Sequence, residues 1–262
     1  MKPQLSLKVV TRFVAAFIAA TALPLTAEAQ VLEGTVSGSS YTTGSWISGA
    51  TSNLGNWFMN VPTGGLTQIG NSSTGDRTNI GAESFYINSS LTDPAAYVDV
   101  YLSLGGQLSA GQSFSVSASY LWNGGMRGIE FAKAFGGTLG RFEYGGGIDP
   151  LRFISGNATT QVYSNAYQQA FTYSLTYVNP TTVNVSATLF GSTGKLLDSN
   201  VTVVDMPDQI KFYITGVTDP ANYDNYGLYF NNIVSVPEPS TWALIILGSA
   251  FILWRVRTRR LS

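Results

Sequence analysis

The sequence predicts an all-β fold: a single large antiparallel β-sandwich of the jelly-roll or concanavalin-like kind. Three observations predict it. Apolar and polar residues alternate with a period of two in many short runs, glycine and Asn-Gly turns separate those runs, and between two apolar ends no 3.6-residue apolar period lasts three turns. Alternation puts one face of each strand in a core and the other in water, and such strands bury their apolar faces by packing as two sheets.

Taken in order, the chain opens with Lys2, Lys8 and Arg12, then the apolar stretch 13–23, then Ala27, Glu28 and Ala29 before Gln30. A basic start, a short apolar core and small residues two apart are the plan of a secretory signal peptide. Residues 1–29 are therefore expected to be removed by signal peptidase, with Ala27, Ala29 and Gln30 framing the cut. The apolar core of 11 residues is short for a membrane span.

The exported domain is expected over 30–235. Its strictest alternation is 113–122, with Phe114, Val116, Ala118, Tyr120 and Trp122 facing a core and Ser113, Ser115, Ser117 and Ser119 facing water. Phe171, Tyr173, Leu175 and Tyr177 alternate with Thr172, Ser174 and Thr176. Asn179 and Pro180 then turn the chain into Val183, Val185, Ala187 and Leu189, which predicts a β-hairpin. Further strands are expected over 56–61, 84–88, 97–104, 128–133, 139–144, 151–155, 160–163, 201–204, 209–214 and 227–234.

Gly-Gly pairs beginning at Gly64, Gly105, Gly124, Gly136 and Gly145, with Asn-Gly at Asn123, suit an antiparallel meander. The aromatic core candidates are Trp46, Trp57, Phe58, Phe85, Phe114 and Trp122, followed by Phe131, Phe142, Phe153, Phe171, Phe212 and Phe230. No proline-rich or charged linker divides the segment, so one domain is expected.

Composition removes several function classes. The chain has neither cysteine nor histidine, which excludes disulfides, thiolate metal sites, cysteine nucleophiles, Ser-His-Asp triads and histidine-ligated zinc. Seven of the 14 Lys and Arg and two of the 15 Asp and Glu lie in the two ends, so 30–235 keeps seven basic against 13 acidic residues, near −6. An acidic domain with scattered cations has no electrostatic footprint for nucleic acid.

The last stretch, 236–262, has three blocks. Val236, Pro237, Glu238 and Pro239 form an extended segment, because two prolines fix φ and remove two backbone donors. The uncharged run 240–254 follows, including Leu244, Ile245, Ile246, Leu247, Phe251 and Leu253, and can enter lipid only as a hydrophobic helix. Its 15 residues would reach about 22 Å against a hydrocarbon core of ~30 Å, so local thinning or snorkelling is needed. Arg255, Arg257, Arg259 and Arg260 then hold the end of the chain on the cytoplasmic side.

These three blocks resemble the PEP-CTERM sorting signal of Gram-negative bacteria. The resemblance implies a chain exported across the inner membrane, transiently membrane-anchored by its tail, and cut near Pro237–Pro239 by exosortase, a membrane-embedded cysteine protease. Its destination would be the cell surface or an extracellular matrix rich in exopolysaccharide, as in a biofilm. The same tail also occurs in families of ice-binding proteins. Within the domain, a Trp-rich strand at Gly55, Asn56 and Trp57, the GQSFSV strand from Gly111, the Asn-Gly turn, the Arg-Phe-Glu-Tyr strand from Arg141 and LYFNNI at 228–233 are similar to a class of exported bacterial sandwiches. The last of these is similar to the closing strand of carbohydrate-binding jelly rolls. There an Asp-Asn pair stands where this chain has Asn231 and Asn232, and the departure removes a carboxylate from a position that often holds structural calcium.

Candidate chemistry is sparse. Glu130 and Glu143 lie on neighbouring predicted strands, and two carboxylates ~5–10 Å apart are the minimum for glycoside hydrolysis. Pairing with Arg127 and Arg141 accounts for the same residues, and the compact acidic motif of concanavalin-like glycosidases is absent. Asp219, Asp224 and Asn225 offer hard oxygen ligands for a structural Ca2+, with a weaker loop around Asp76; no other cofactor or metal is implied. Tyr223 and Tyr226, with Tyr163 and Tyr167, lie beside Asn-rich turns, as sugar-binding aromatics do. Ice binding would need regularly spaced threonines, and no Thr-x-Thr occurs. The sequence therefore reads as a non-enzymatic, exported surface or matrix protein with glycan as its candidate ligand, against the alternatives of a secreted polysaccharide hydrolase or an ice-binding protein.

Overall fold

In the computed structural model the described residues are 34–70, 79–81, 83–89, 97–105, 108, 111–120, 125–133, 137–145, 148–215 and 227–236. Their regular structure is a short 3-10 turn, Gly38–Ser40, and strands that begin with β1 (Gly34–Val36), β2 (Thr51–Ser52), β3 (Gly55–Asn60), β4 (Gly65–Gly70) and β5 (Ser84–Ser89). The chain continues through β6 (Tyr97–Leu104), β7 (Ser113–Tyr120), β8 (Met126–Ala132), β9 (Thr138–Gly145) and β10 (Ile148–Ser155). It then forms β11 (Ala158–Tyr163), β12 (Gln169–Asn179), β13 (Thr182–Leu189), β14 (Lys195–Thr202), β15 (Gln209–Thr215) and β16 (Leu228–Val236).

All pairings are antiparallel. One sheet, A, has the order β14-β13-β12-β7-β16-β5-β4 with β1 also on β16; the other, B, has the order β11-β10-β9-β8-β15-β6-β3-β2. The predicted hairpin is β12–β13, with Tyr173 opposite Ala187 and Leu175 opposite Val185. The expected simple meander holds only for β8–β11 and β12–β14. Apart from the hairpins β2–β3 and β4–β5, the chain elsewhere changes sheet, as from β3 to β4, β5 to β6, β6 to β7, β7 to β8, β11 to β12, β14 to β15 and β15 to β16. Each strand has one apolar face and needs a facing sheet to cover it, so crossing between layers buries that face sooner than extending one layer does.

The core lies between the sheets. Phe212 of β15 stacks on Phe230 of β16 with centroids 3.7 Å apart and planes 6° apart. Trp57 of β3 meets Phe85 of β5 at 5.0 Å, and Phe142 of β9 meets Tyr173 of β12 at 4.3 Å. Val98, Val100, Leu102, Ile210 and Ile214 fill sheet B's inner face, and Phe114, Val116 and Ala118 fill that of β7.

Several side-chain expectations are corrected. Phe58 is not core; it sits on the outer face of sheet B, 39% exposed, because its neighbour Trp57 takes the inward parity of β3. Ser117 and Ser119 are buried rather than wet. In the outer row of sheet A, Ser119 lies between Tyr229 and Ala170, which belong to a second apolar cluster with Ile80 and Tyr86. Ser117 sits within 3.3 Å of the Thr172 hydroxyl. Arg127 does not pair with the acidic candidates: it opposes Ile214 and Tyr144 on the inward parity of β8 and is fully buried, its guanidinium donating to the Gly227 carbonyl at 3.5 Å. The strands β1, β2 and β4 were not anticipated, and the one expected over 201–204 is instead the longer β14, which ends at Thr202. Trp122 lies outside the described residues.

Candidate functional site

The outer face of sheet B follows from its register. One row across the strands reads Phe58, Tyr101, Lys211, Glu130, Arg141 and Ile154; the next reads Asn60, Asp99, Tyr213, Gly128, Glu143 and Arg152. In β6 the alternation is simple: Val98, Val100 and Leu102 point into the core, so Tyr97, Asp99 and Tyr101 point out.

Glu130 and Glu143 share this face, diagonal to each other on adjacent strands, and each is almost fully built into it, 7% exposed. The Thr138 hydroxyl donates to Glu130 Oε1, and Lys211 Nζ lies 3.0 Å from Oε2. Glu143 Oε1 accepts from the Arg152 guanidinium at 3.0 Å, and its Oε2 accepts from the Tyr213 hydroxyl at 2.9 Å with Arg141 Nε at 3.2 Å. All four carboxylate oxygens are thus occupied. The phenol of Tyr213 reaches Glu143 by lying over Gly128, where a Cβ would stand 2.7 Å from the hydroxyl and 2.3 Å from the Phe142 carbonyl oxygen. Burial, then the Glu143 charge, drive the Tyr213 phenol far above the ordinary tyrosine range, so it stays a donor.

Beside this polar lattice is an aromatic patch. Phe58 and Tyr101 stack with centroids 5.3 Å apart and planes 16° apart, and Tyr97 stacks on Tyr213 at 5.9 Å. Lys211 Nζ is 6.0 Å from the Tyr97 centroid. Burial alone would lower the Lys211 ammonium, but the Tyr97 phenol and the Glu130 carboxylate hold it above the usual lysine range. Asp99 is shifted the other way for an acid: burial raises its carboxyl, opposed by Asn60 and Lys211. Sequence reasoning missed this patch. The signal lay in the odd positions of 97–103, where Tyr, Asp, Tyr and Ser alternate with Val and Leu.

Of the expected glycan residues, Tyr163 packs against the core with its ring 5.6 Å from Phe171, and Tyr167 is half-buried. Tyr223 and Tyr226, the calcium-type loop of Asp219, Asp224 and Asn225, and the weaker loop at Asp76 lie outside the described residues. Among the described residues no group of three or more acidic side chains could hold a metal ion.

The Asn-Asn pair that departs from the jelly-roll pattern has a visible job. Asn231, buried, accepts from the Gly38 amide at 3.0 Å and donates to the carbonyls of Ile80 and Glu83, both at 3.3 Å. An aspartate could not donate to those carbonyls. Asn232 adopts φ +51° at the bulge and donates to Ile80 at 3.2 Å.

The processing end is built directly onto the sheet. In β16, Ser235 opposes Phe114 of β7 and Gly34 of β1, and Val236 opposes Ser113. Ser235 is buried and Val236 is 51% exposed. Pro237, Glu238, Pro239, the run 240–254, the arginines Arg255, Arg257, Arg259 and Arg260, and the residues expected to frame signal cleavage, Ala27, Ala29 and Gln30, lie outside the described residues. Among the described residues no helix is long and apolar enough to cross a membrane.

Similarity to known proteins falls into two kinds. No curated protein matches the chain. Among solved structures, a sialidase is 12% identical, aligning 70% of this chain with 17% of its own at a TM-score of 0.47. The globular domain of T. cruzi calreticulin is 10% identical over 76% of this chain and 90% of its own, TM-score 0.44, and a toad ovary galectin is 12% identical over 54% and 99%, TM-score 0.36. This chain spans under a fifth of the sialidase, and none of these likenesses bears on what it binds or does. The family model of the PEP-CTERM protein-sorting motif, by contrast, matches residues 235–260. Such a motif marks an exported protein of a Gram-negative bacterium that is processed by exosortase. The chain therefore carries a PEP-CTERM protein-sorting motif, and that motif begins inside the last strand of its sandwich.

Proposed function

We propose that the mature protein is a non-enzymatic surface or matrix component that binds neutral glycan on the outer face of sheet B. The observation that carries this reading is the stack of exposed Phe58 on half-buried Tyr101, set beside Asn60, Asp99 and Lys211 on the outer face of the sheet. An aromatic plane accepts the apolar face of a sugar ring, while amide, carboxyl and ammonium groups nearby bond its hydroxyls. The hydrolase reading draws less support. Glycoside hydrolysis needs one carboxyl free to protonate a leaving oxygen and another free to attack or to activate water, and here both are tied into the sheet by cations and hydroxyls.

A glycan array with the secreted protein, run beside hydrolase assays on the same sugars, tests the proposal. Saturable binding without turnover is expected, with Phe58→Ala and Tyr101→Ala together weakening it at least about tenfold, the equivalent of ~1.4 kcal/mol. Turnover that disappears in Glu143→Gln would replace this reading with the enzyme.

A further inference from the structure

The two termini of the sandwich leave from one end. β1 runs antiparallel to β16 with Gly34 opposite Ser235, and β16 finishes at Val236 opposite the first residue of β7. Only Pro237, Glu238 and Pro239 separate Val236 from the apolar run that opens at Ser240. Three residues span at most ~10 Å even when fully extended. A tail that enters lipid at Ser240 therefore holds this end of the sandwich at the bilayer surface, with no slack for the domain to turn over.

What this end presents fits that position. Register continues the Val236–Ser113 row to Thr176 of β12, and Val178 lies two residues further out toward the β12–β13 turn. On the other side of that turn Thr182 opposes Thr202, and the Val203 amide bonds the Thr181 carbonyl at 2.9 Å, so Val204 sits at the same end. Val178, Val204 and Val236 are 46%, 94% and 51% exposed, the first beside an exposed Pro180. The nearby charges Lys133 and Asp205 pair with each other at 3.2 Å. At the opposite end of the β13–β14 hairpin the turn runs from Phe190, 39% exposed, through the exposed polar tip Ser192, Thr193 and Gly194.

We propose that this end of the sandwich is a membrane-facing surface, seated on the headgroup boundary of the lipid bilayer through Val178, Val204 and Val236 while the sorting tail is attached. The proposal rests on the reading that the run from Ser240 enters lipid. The apolar tips orient the domain so that the three-residue segment ahead of the bilayer is presented in one pose to a membrane-embedded enzyme.

The chain has no cysteine, so Val178→Cys, Val204→Cys and Ser192→Cys each accept a single fluorophore at an exposed position. Full-length protein would be reconstituted into vesicles of phosphatidylethanolamine and phosphatidylglycerol carrying a headgroup-attached nitroxide quencher. Quenching several-fold stronger at 178 and 204 than at 192 is the expected result. Chains that resist alkaline extraction but quench equally at all three positions overturn the proposal alone. Chains that wash off overturn the membrane-entering tail and the proposal with it. Quenching at 178 and 204 that appears only when the processing enzyme is co-reconstituted would assign the surface to a protein partner and also overturn the proposal.

Discussion

Phe230 and Phe212 hold the two sheets together face to face, and removing one ring opens a void that neither sheet can close without breaking its ladder. Phe230→Ala is expected to cost about 3–5 kcal/mol in denaturant unfolding. Asp99 contributes a pH dependence of its own. An acid raised by burial binds its proton more tightly folded than unfolded, so its ionisation weakens the fold and stability falls as pH rises from the unfolded value of ~3.9 through the higher folded one. Asp99→Asn should therefore melt higher than the parent near neutral pH, with the gap closing below about pH 4, in thermal unfolding followed by circular dichroism. The residue scale is also where the sequence was least legible. The parity of Trp57 against Phe58 decides which aromatic is core and which is surface, and both are equally apolar. The inward Arg127 could be read only by knowing that β8 opposes Ile214 and Tyr144.

β16 shows what an element can and cannot disclose. Its opening, Leu228 to Phe230, is a continuous apolar run buried on both faces, but the bulge after Asn231 shifts the pairing with β7, and that shift lets two carboxamides gather segments around Gly38, Ile80 and Glu83. Asn231→Ala leaves the Gly38 amide and two carbonyls without this partner, a loss of about 1–3 kcal/mol. Hydrogen exchange would show it as faster exchange of the Gly38 amide. Asn231→Asp keeps the acceptor but sets a buried charge against the Ile80 and Glu83 carbonyls, so at neutral pH it is expected to be at least as destabilising as alanine, with the loss easing as the pH falls. The strands β6, β12 and β13 were readable because one face is largely buried and the other faces water, and β7 was readable from its sequence alternation although its outer Ser117 and Ser119 are covered. β1, β2 and β4 were not: they are short or glycine-bounded, and what makes them strands is the neighbour they pair with, far away in sequence.

For the molecule as a whole, the two-layer class followed from the alternation, whereas the exchange of strands between layers did not, since local pattern says nothing about which sheet a strand joins. The motif at 235–260 was legible because its blocks are compositional and need no fold. Intact mass of the mature protein, recovered from cells and medium, is expected to begin at Gln30 and to end within 237–239, with or without an added group; a mass that includes Ser262 would contradict processing. The place of β16 has one more consequence. Among the described pairings it alone joins β4 and β5 to β7 and the strands beyond, and β1 adds to it as well. Sheet A is thus two fragments until residues 228–236 arrive, so a polypeptide emerging amino end first cannot lock early. Closure through contacts of such long sequence separation is slow. The native form of sheet A is therefore complete only once nearly all of the domain is available to pair.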